Sequence, residues 1–284
     1  MKHLFYSPHR ALQQFIKGYA FLFSDNLPDK KVIPVPDGTT VEIGIIPPTG
    51  NSGLKVKYYH EEKEREFKSF FGNVTNLTEY ICSDGNQLRY IGVIAYPYST
   101  RFLFKQDPID LVTCPDLSYY LRTNFDNLLE KLEYASTPVH CCTILNEFFL
   151  QYIGKAKKID DRLNIMFSDP LFFKKNSDTR QLANTLCITP RSLQRFFKDT
   201  MGVTPKKFLN LIRASAVITD IKQGTFSNCS DITFSYKYSD QSHFNAEFKA
   251  ATNLPPGFFI KNRHRLFLNY ARHLILLDKV DQII

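Results

Sequence analysis

The sequence predicts an α+β chain. Its N-terminal half reads as a small β-barrel or sandwich with flanking helices, and its all-α C-terminal half as two helix-turn-helix units joined by a long helix. Three observations carry that prediction. Short β-rich segments fill the first third of the chain, a helical phrase recurs in the last third at an offset of 51 positions, and positive charge collects in the second half. Residues 1–155 hold 16 Lys+Arg against 17 Asp+Glu, whereas residues 156–284 hold 20 against 11, so the formal net charge of +8 belongs wholly to the C-terminal half. A neutral half joined to a basic half suits a sensing or assembly domain tied to a polyanion binder.

With 284 residues the chain has room for two domains. Strands are expected at Tyr19–Phe23, Lys31–Val35, Val41–Ile46, Lys55–Tyr59, Glu66–Phe71 and Leu88–Ala95, separated by Gly, Pro, Asn and Asp clusters such as Pro36-Asp37-Gly38 and Ser83-Asp84-Gly85-Asn86. After Pro115 the period changes to that of a helix: Leu117, Leu121, Phe125, Leu128, Leu129 and Leu132 share one face. Thr137 then caps a second helix with Pro138 in its first position, lined by Ile144, Leu145, Phe148, Phe149 and Tyr152.

Several function classes find no support in the sequence. No run of 18 apolar residues marks a membrane span, and Met1–Pro8 lacks the apolar core of a secretory signal. The six cysteines show no Cys-x-x-Cys spacing and read as reduced, partly buried thiols of a cytoplasmic protein. His60-Glu61-Glu62 has no second histidine at ligand spacing and reads as the solvated face of a hairpin. Cys141-Cys142 falls inside an expected helix, and no phosphate loop or nucleophile elbow is present. The reading is therefore a non-enzyme with no catalytic residue, no metal site and no cofactor.

The C-terminal half begins with a helix expected from about Lys158 to Phe167, ended by Ser168-Asp169-Pro170. Asp178 caps a short helix that buries Leu182, Ala183 and Leu186, and Cys187-Ile188 makes a turn. Thr189 caps the next helix, with Pro190 where a missing N–H costs nothing. Leu193, Phe196 and Phe197 point inward there, leaving Arg191, Gln194, Arg195 and Lys198 outside. The phrase then repeats: Leu193 corresponds to Phe244, Phe197 to Phe248, Lys198 to Lys249, Pro205 to Pro256 and Phe208 to Phe259. In the second copy Asn228 and Ser239 are the expected caps, Lys237 the turn, and Gln241, Ser242 and Asn245 the outward set, with His243 near phosphates. Between the copies Pro205 starts a long helix whose Phe208, Leu211, Ile212, Ser215, Ile218 and Ile221 form a stripe, ended by Gly224.

The outward residue types suit the major groove. Arg holds O6 and N7 of guanine with two parallel hydrogen bonds, and Gln or Asn does the same for adenine, each good pair discriminating by about 1–3 kcal/mol. Two such helices on one rigid rod would sit one duplex turn, about 34–36 Å, apart.

Leu193-Gln194-Arg195-Phe196-Phe197-Lys198 with Gly202-Val203-Thr204-Pro205, and Ser239-Asp240-Gln241-Ser242-His243-Phe244 with Phe248-Lys249 and Pro255-Pro256, resemble the AraC/XylS family of bacterial transcription regulators over about residues 158–261. The resemblance implies a double helix-turn-helix DNA-binding domain over 158–261, with a first unit at about 178–200 and a second at about 228–250. It implies DNA-binding residues at Arg191, Gln194, Arg195, Lys198, Gln241, Ser242, His243, Asn245 and Lys249. Residues 6–19 and Val35–Glu42 look like the opening of the sensory domain of some members, which implies an effector-binding or dimerisation domain at 1–157. The implied partners are double-stranded DNA, a small-molecule effector, RNA polymerase and a second copy of the chain, with no membrane. Three departures stand out. The turns carry Cys187 and Lys237 where the family has Gly, and Ala246 stands where an Arg is frequent, so the first unit is expected to discriminate more. Beyond Lys261, a helical extension over 262–284 is expected from the stripe Leu266, Tyr270, Leu274, Leu277, Val280 and Ile284. Alternatives kept beside this reading are an enzyme, such as a DNA-repair protein, carrying the same tail, and a protein-interaction module.

Overall fold

A computed structural model describes residues 2–24, 30–35, 39–47, 54–58, 64–65, 69–72, 78–82, 88–103, 105, 123–153, 158–169, 172–175 and 178–268. The chain divides into two compact units. One comprises Met1–Val32, Thr40–Asn73 and Thr78–Lys158, the other Ile33–Thr39, Val74–Leu77 and Ile159–Ile284.

In the first unit the strands are β1 (Lys2–Tyr6), β2 (Ile16–Ser24), β3 (Lys30–Val35, of which Lys30–Val32 counts here), β4 (Val41–Ile45), β5 (Leu54–Tyr58), β6 (Glu64–Arg65), β7 (Ser69–Gly72), β8 (Thr78–Cys82) and β9 (Leu88–Ala95). One antiparallel sheet runs in the order β1-β2-β9-β4-β7. In the other, β8 pairs with Lys30–Val32 and with β5, and β5 with β6, again antiparallel. The α+β class expected from the alternation of strands and turns is what the chain adopts. Of the strand expected at Glu66–Phe71, residues 69–71 belong to β7, which pairs with β4, and residues 66–68 lie outside the described residues; the separate Glu64–Arg65 pairs with β5. β1 and β8 are additional strands. His60-Glu61-Glu62 lies outside the described residues.

Tyr90–Ala95 of β9 is buried throughout, as expected for a central strand covered on both faces. At Gly18, at the bulge in β2, a Cβ would lie 1.9 Å from Cζ of Phe5, so any larger residue would have to displace that ring. The helices α1 (Ser99–Leu103), α2 (Thr123–Glu133) and α3 (Pro138–Ile153) follow. Phe125, Leu128, Leu129 and Leu132 of the expected stripe are buried, whereas Leu117 and Leu121 lie outside the described residues. Thr137 caps α3 as expected, its Oγ1 accepting from His140 N at 3.2 Å. Asn146 on α3 accepts from Tyr19 Oη at 3.0 Å and from His9 N at 2.9 Å, and the Tyr19 ring stacks on Phe149 at 6.5 Å. These contacts tie α3 to the sheet.

The second unit holds α4 (Asp161–Ser168), α5 (Phe172–Lys175), α6 (Thr179–Thr185), α7 (Pro190–Met201), α8 (Pro205–Gln223), α9 (Cys229–Ser235), α10 (Gln241–Thr252) and α11 (Pro256–Lys261). α4 starts later than the Lys158 expected, because Asp160 caps it by accepting from Arg162 N at 3.0 Å. α8, about 28 Å long at 1.5 Å per residue, begins at the Thr204 cap and ends at Gly224, whose φ of 82° is the left-handed conformation glycine adopts without penalty. Phe208, Leu209, Leu211, Ala214, Val217, Ile218 and Ile221 are all buried along it. No helix among the described residues is long and apolar enough to cross a membrane.

The repeat is visible as packing. Phe197 meets Phe208 edge-on at 5.5 Å and 68°, and Phe248 meets Phe259 at 5.3 Å and 80°, all four rings buried. Phe173 from α5 adds a third ring to the first cluster, 5.2 Å from Phe208.

The helical extension expected after Lys261 is corrected over its described part. Arg263–Arg265 form a 3-10 turn, and Leu266–Leu268 form a strand, β10, parallel to Ile33–Val35. Leu266 is buried, and backbone pairing in a strand replaces the amphipathic helix that its spacing suggested. The rest of the stripe, from Tyr270 onward, lies outside the described residues.

Phe197→Ala and Phe248→Ala are each expected to cost about 3–5 kcal/mol, because each removes a buried ring and leaves a cavity beside its partner. Urea unfolding of the full chain followed by circular dichroism checks this, and a loss below about 1 kcal/mol at either position would contradict the packing.

Candidate nucleic-acid interface

In the first unit of the repeat, Asp178 accepts from the N–H groups of Arg180 and Gln181 at 2.8 and 2.9 Å, which starts α6. The turn places Cys187 at φ 52°, and Thr189 then caps α7 by accepting from Ser192 N at 3.2 Å. In the second unit Asn228 caps α9 at 2.9 Å, and Lys237 occupies the turn at φ 56°. Cys187 and Lys237 therefore keep the left-handed geometry that glycine would adopt freely, at a cost of about 1–2 kcal/mol each. The cap of α10 is Asp240, not Ser239: Asp240 Oδ1 accepts from His243 N at 2.8 Å, and Ser239 Oγ donates to its other oxygen at 3.1 Å. The second turn is one residue longer than the first, so the offset of 51 equates Thr189 with Asp240. The backbone N–H of His243 and the Ser239 hydroxyl hold the Asp240 carboxyl below the usual carboxylate range. The Arg162 side chain does the same for Asp160.

On α7, Leu193, Phe196 and Phe197 are buried, while Arg191, Gln194, Arg195 and Lys198 are exposed, the division the helical spacing implies. On α10, Phe244 and Phe248 are buried, while Gln241, Ser242, His243 and Lys249 are exposed. Asn245 departs from its expected outward placement. It is half-buried, and its Oδ1 is shut away from solvent with no hydrogen-bond partner. At its place in the helical period the side chain lies at the edge of the buried face. Ala246 is exposed beside it and offers no polar group.

Each of α7 and α10 is also held from behind by an arginine that the sequence reading does not single out. Arg162 of α4 lies over the Phe196 ring, 4.5 Å from its centroid, and is hydrogen-bonded to Asp160 at 2.8 Å. Arg213 of α8 donates to Glu247 Oε1 at 3.0 Å and lies 5.6 Å from the Tyr238 ring. Tyr238 donates to the same oxygen at 2.9 Å, and burial first, then the Glu247 carboxylate, pushes its pKa up to about 12. His243 Nε2 stands 4.0 Å from the other Glu247 oxygen. The sequence does carry a signal for this: Arg162 and Arg213 are 51 apart, as are Phe196 and Glu247.

Elsewhere the chemistry is sparse. Burial pushes the Cys141 thiol up and that of Cys142 to about 12, the reverse of an activated nucleophile. The Cys82 side chain and Cys114 lie outside the described residues. No metal-holding cluster of His, Cys, Asp or Glu occurs among the described residues.

Comparison with known proteins adds a domain-level match. Residues 182–262 match a family model described as a helix-turn-helix domain. No curated protein matches the chain. Among solved structures, ToxT from Vibrio cholerae in a P21 crystal form is similar at 16% identity, with 85% of this chain and 98% of that chain covered and a TM-score of 0.40. ToxT from Vibrio cholerae O395 bound to (E)-4-(8-methylnaphthalen-1-yl)but-3-enoic acid is similar at 16% identity, with coverage of 86% and 99% and a TM-score of 0.39. Unsaturated fatty acid bound wild-type ToxT from Vibrio cholerae strain SCE256 is similar at 15% identity, with coverage of 84% and 94% and a TM-score of 0.37.

Two predictions come from the caps and turns. Cys187→Gly and Lys237→Gly should each raise stability by about 0.5–1 kcal/mol, the relief of left-handed strain less the added freedom of the unfolded chain; denaturant midpoints test this. Asp240→Ala should lower the melting temperature more than Ser239→Ala. Because the folded Asp240 and Asp160 carboxyls are depressed, their stabilisation is complete above the ordinary value of about 4 and is lost as pH falls through the lower folded values. The gap between wild type and Asp240→Ala should therefore narrow on acidification below about pH 4.

Proposed function

We propose that this chain, which carries an AraC-type helix-turn-helix domain over residues 182–262, is a sequence-specific transcription regulator that reads two adjacent major grooves of duplex DNA. The observation that carries the reading is the exposure of Arg191, Gln194 and Arg195 on a capped helix whose opposite face is buried, with an equivalent helix offering Gln241 and Ser242. Arg195 and Gln194 have the hydrogen-bonding forks that read guanine and adenine edges. Lys198, His243 and Lys249 contact phosphates in this reading and supply sequence-independent affinity. Asn245 serves the second groove only by turning its amide outward. With Ala246 beside it, the second unit discriminates less than the first.

Residues 158–261 are the DNA-binding domain in this scheme. Residues 1–157 form the control domain, acting through a small effector or a second copy of the chain. The basic balance of the C-terminal half supports the scheme, as does the division of the chain into two compact units. The raised thiols of Cys141 and Cys142 speak against the alternative of cysteine-based alkyl transfer at those positions.

Selection from a random duplex pool tests the proposal: bound sequences should converge on two half-sites about one helical turn apart. Arg195→Ala should cost about 1–3 kcal/mol on the selected site and much less on random duplex. Equal losses on both would remove Arg195 as a base reader. Affinity should fall steeply with salt, and Lys198→Ala should reduce the slope by about one unit.

A further inference from the structure

We infer that Arg162 and Arg213 are a duplicated pair of positioning residues, each setting the tilt of one recognition helix and hence the base preference of one half-site; this rests on the DNA-reading proposal above. In the sequence the repeat is plain from residue 192 onward; before the longer second turn the middle helices correspond at 50 positions, Asp178 with Asn228 and Cys187 with Lys237, and the first helices correspond again at 51. Shifted by 51 positions, Arg162, Leu163 and Met166 of α4 fall on Arg213, Ala214 and Val217 of α8. Leu163, Met166, Ala214 and Val217 are all buried. The same shift carries Phe196 onto Glu247, and these are the residues the two arginines touch. Apart from the short α5, each unit is thus three helices long, and the arginine of its first helix presses on the same position of its third.

That position lies next to the base-reading face. Phe196 directly follows Arg195, and Glu247 stands two residues after Asn245 and four after His243. A shift of the guanidinium would rotate or tilt the helix, and bidentate base contacts tolerate little displacement. The two braces differ in chemistry. The first is a cation on an aromatic face. The second is a carboxylate, 13% exposed, shared by Arg213 and the Tyr238 hydroxyl. Arg213 keeps 34% of its side chain exposed, so the enclosed member is Glu247, and removing Arg213 leaves that carboxylate without its nearest cation.

The test uses the full chain and selection from a random duplex pool, with thermal melting of every variant. Glu247→Gln and Arg213→Gln should flatten the base preferences of the half-site read by α10 by about tenfold, leaving the other half-site as in wild type. Arg162→Gln should do the reverse. The charge exchange Arg213→Glu with Glu247→Arg should restore a large part of the lost preference, which a merely destabilising pair of changes would not. Unchanged preferences in folded variants would overturn the inference. So would equal losses at both half-sites that follow the melting temperature and resist the charge exchange. If the wild-type chain selects no paired half-sites, the DNA-reading proposal itself falls, a result distinct from either.

Discussion

Everything proposed for the C-terminal half depends on burying one apolar seam of a short amphipathic helix, twice. α7 and α10 are each 12 residues long, too short to be stable alone in water. They persist because Leu193 and Phe197, and again Phe244 and Phe248, are sealed against neighbouring elements, with the Phe208 and Phe259 rings meeting Phe197 and Phe248 edge-on. Sealing that seam fixes the rotation of each helix about its axis. The polar residues between the buried ones then face outward by geometry, and it is this rotation that makes Arg191, Gln194 and Arg195 available together.

The two copies solve the same problem with different side chains. Thr189 and Asp240 cap equivalent helices, and Gly202 and Asn253 end them in the same left-handed conformation at φ 71° and 63°. Phe196 and Glu247 receive equivalent arginines, one on a ring and one on a carboxylate. What is preserved between the copies is the shape of the path and the burial of its apolar edge. What diverges is the chemistry at the rim. The face offered to solvent diverges too: Gln194 is exposed in the first copy, whereas its equivalent in the second, Asn245, is partly withdrawn.

Much of the helical half is legible in the sequence because its signals are local. Caps, the Pro190 and Pro205 starts, the Gly224 stop and the period of Leu193 and Phe197 all act within one or two turns of chain. The positive φ at Cys187 and Lys237 is also readable, from the turn that the resemblance implies. The choice of Ser239 as cap fails because Ser and Asp are both good caps and stand side by side; only the repeat offset separates them. Arg162 and Arg213 pass unmarked because an arginine on a helix says nothing by itself about the distant ring or carboxylate it meets. In the β-rich half the alternation marks most strands, but not which strands pair. That Glu64–Arg65 pairs with β5 and Ser69–Gly72 with β4 depends on partners that no local signal names.

The pairing of Leu266–Leu268 with Ile33–Val35 makes the C-terminal unit non-contiguous in sequence. A fragment cut at residue 158 would carry every helix of the double motif yet leave the edge of β10 without its backbone partner. Excising the helices as a free-standing piece therefore opens a strand edge of the kind that recruits other chains. Sticky or aggregating behaviour of such a fragment would belong to the cut and not to the helices.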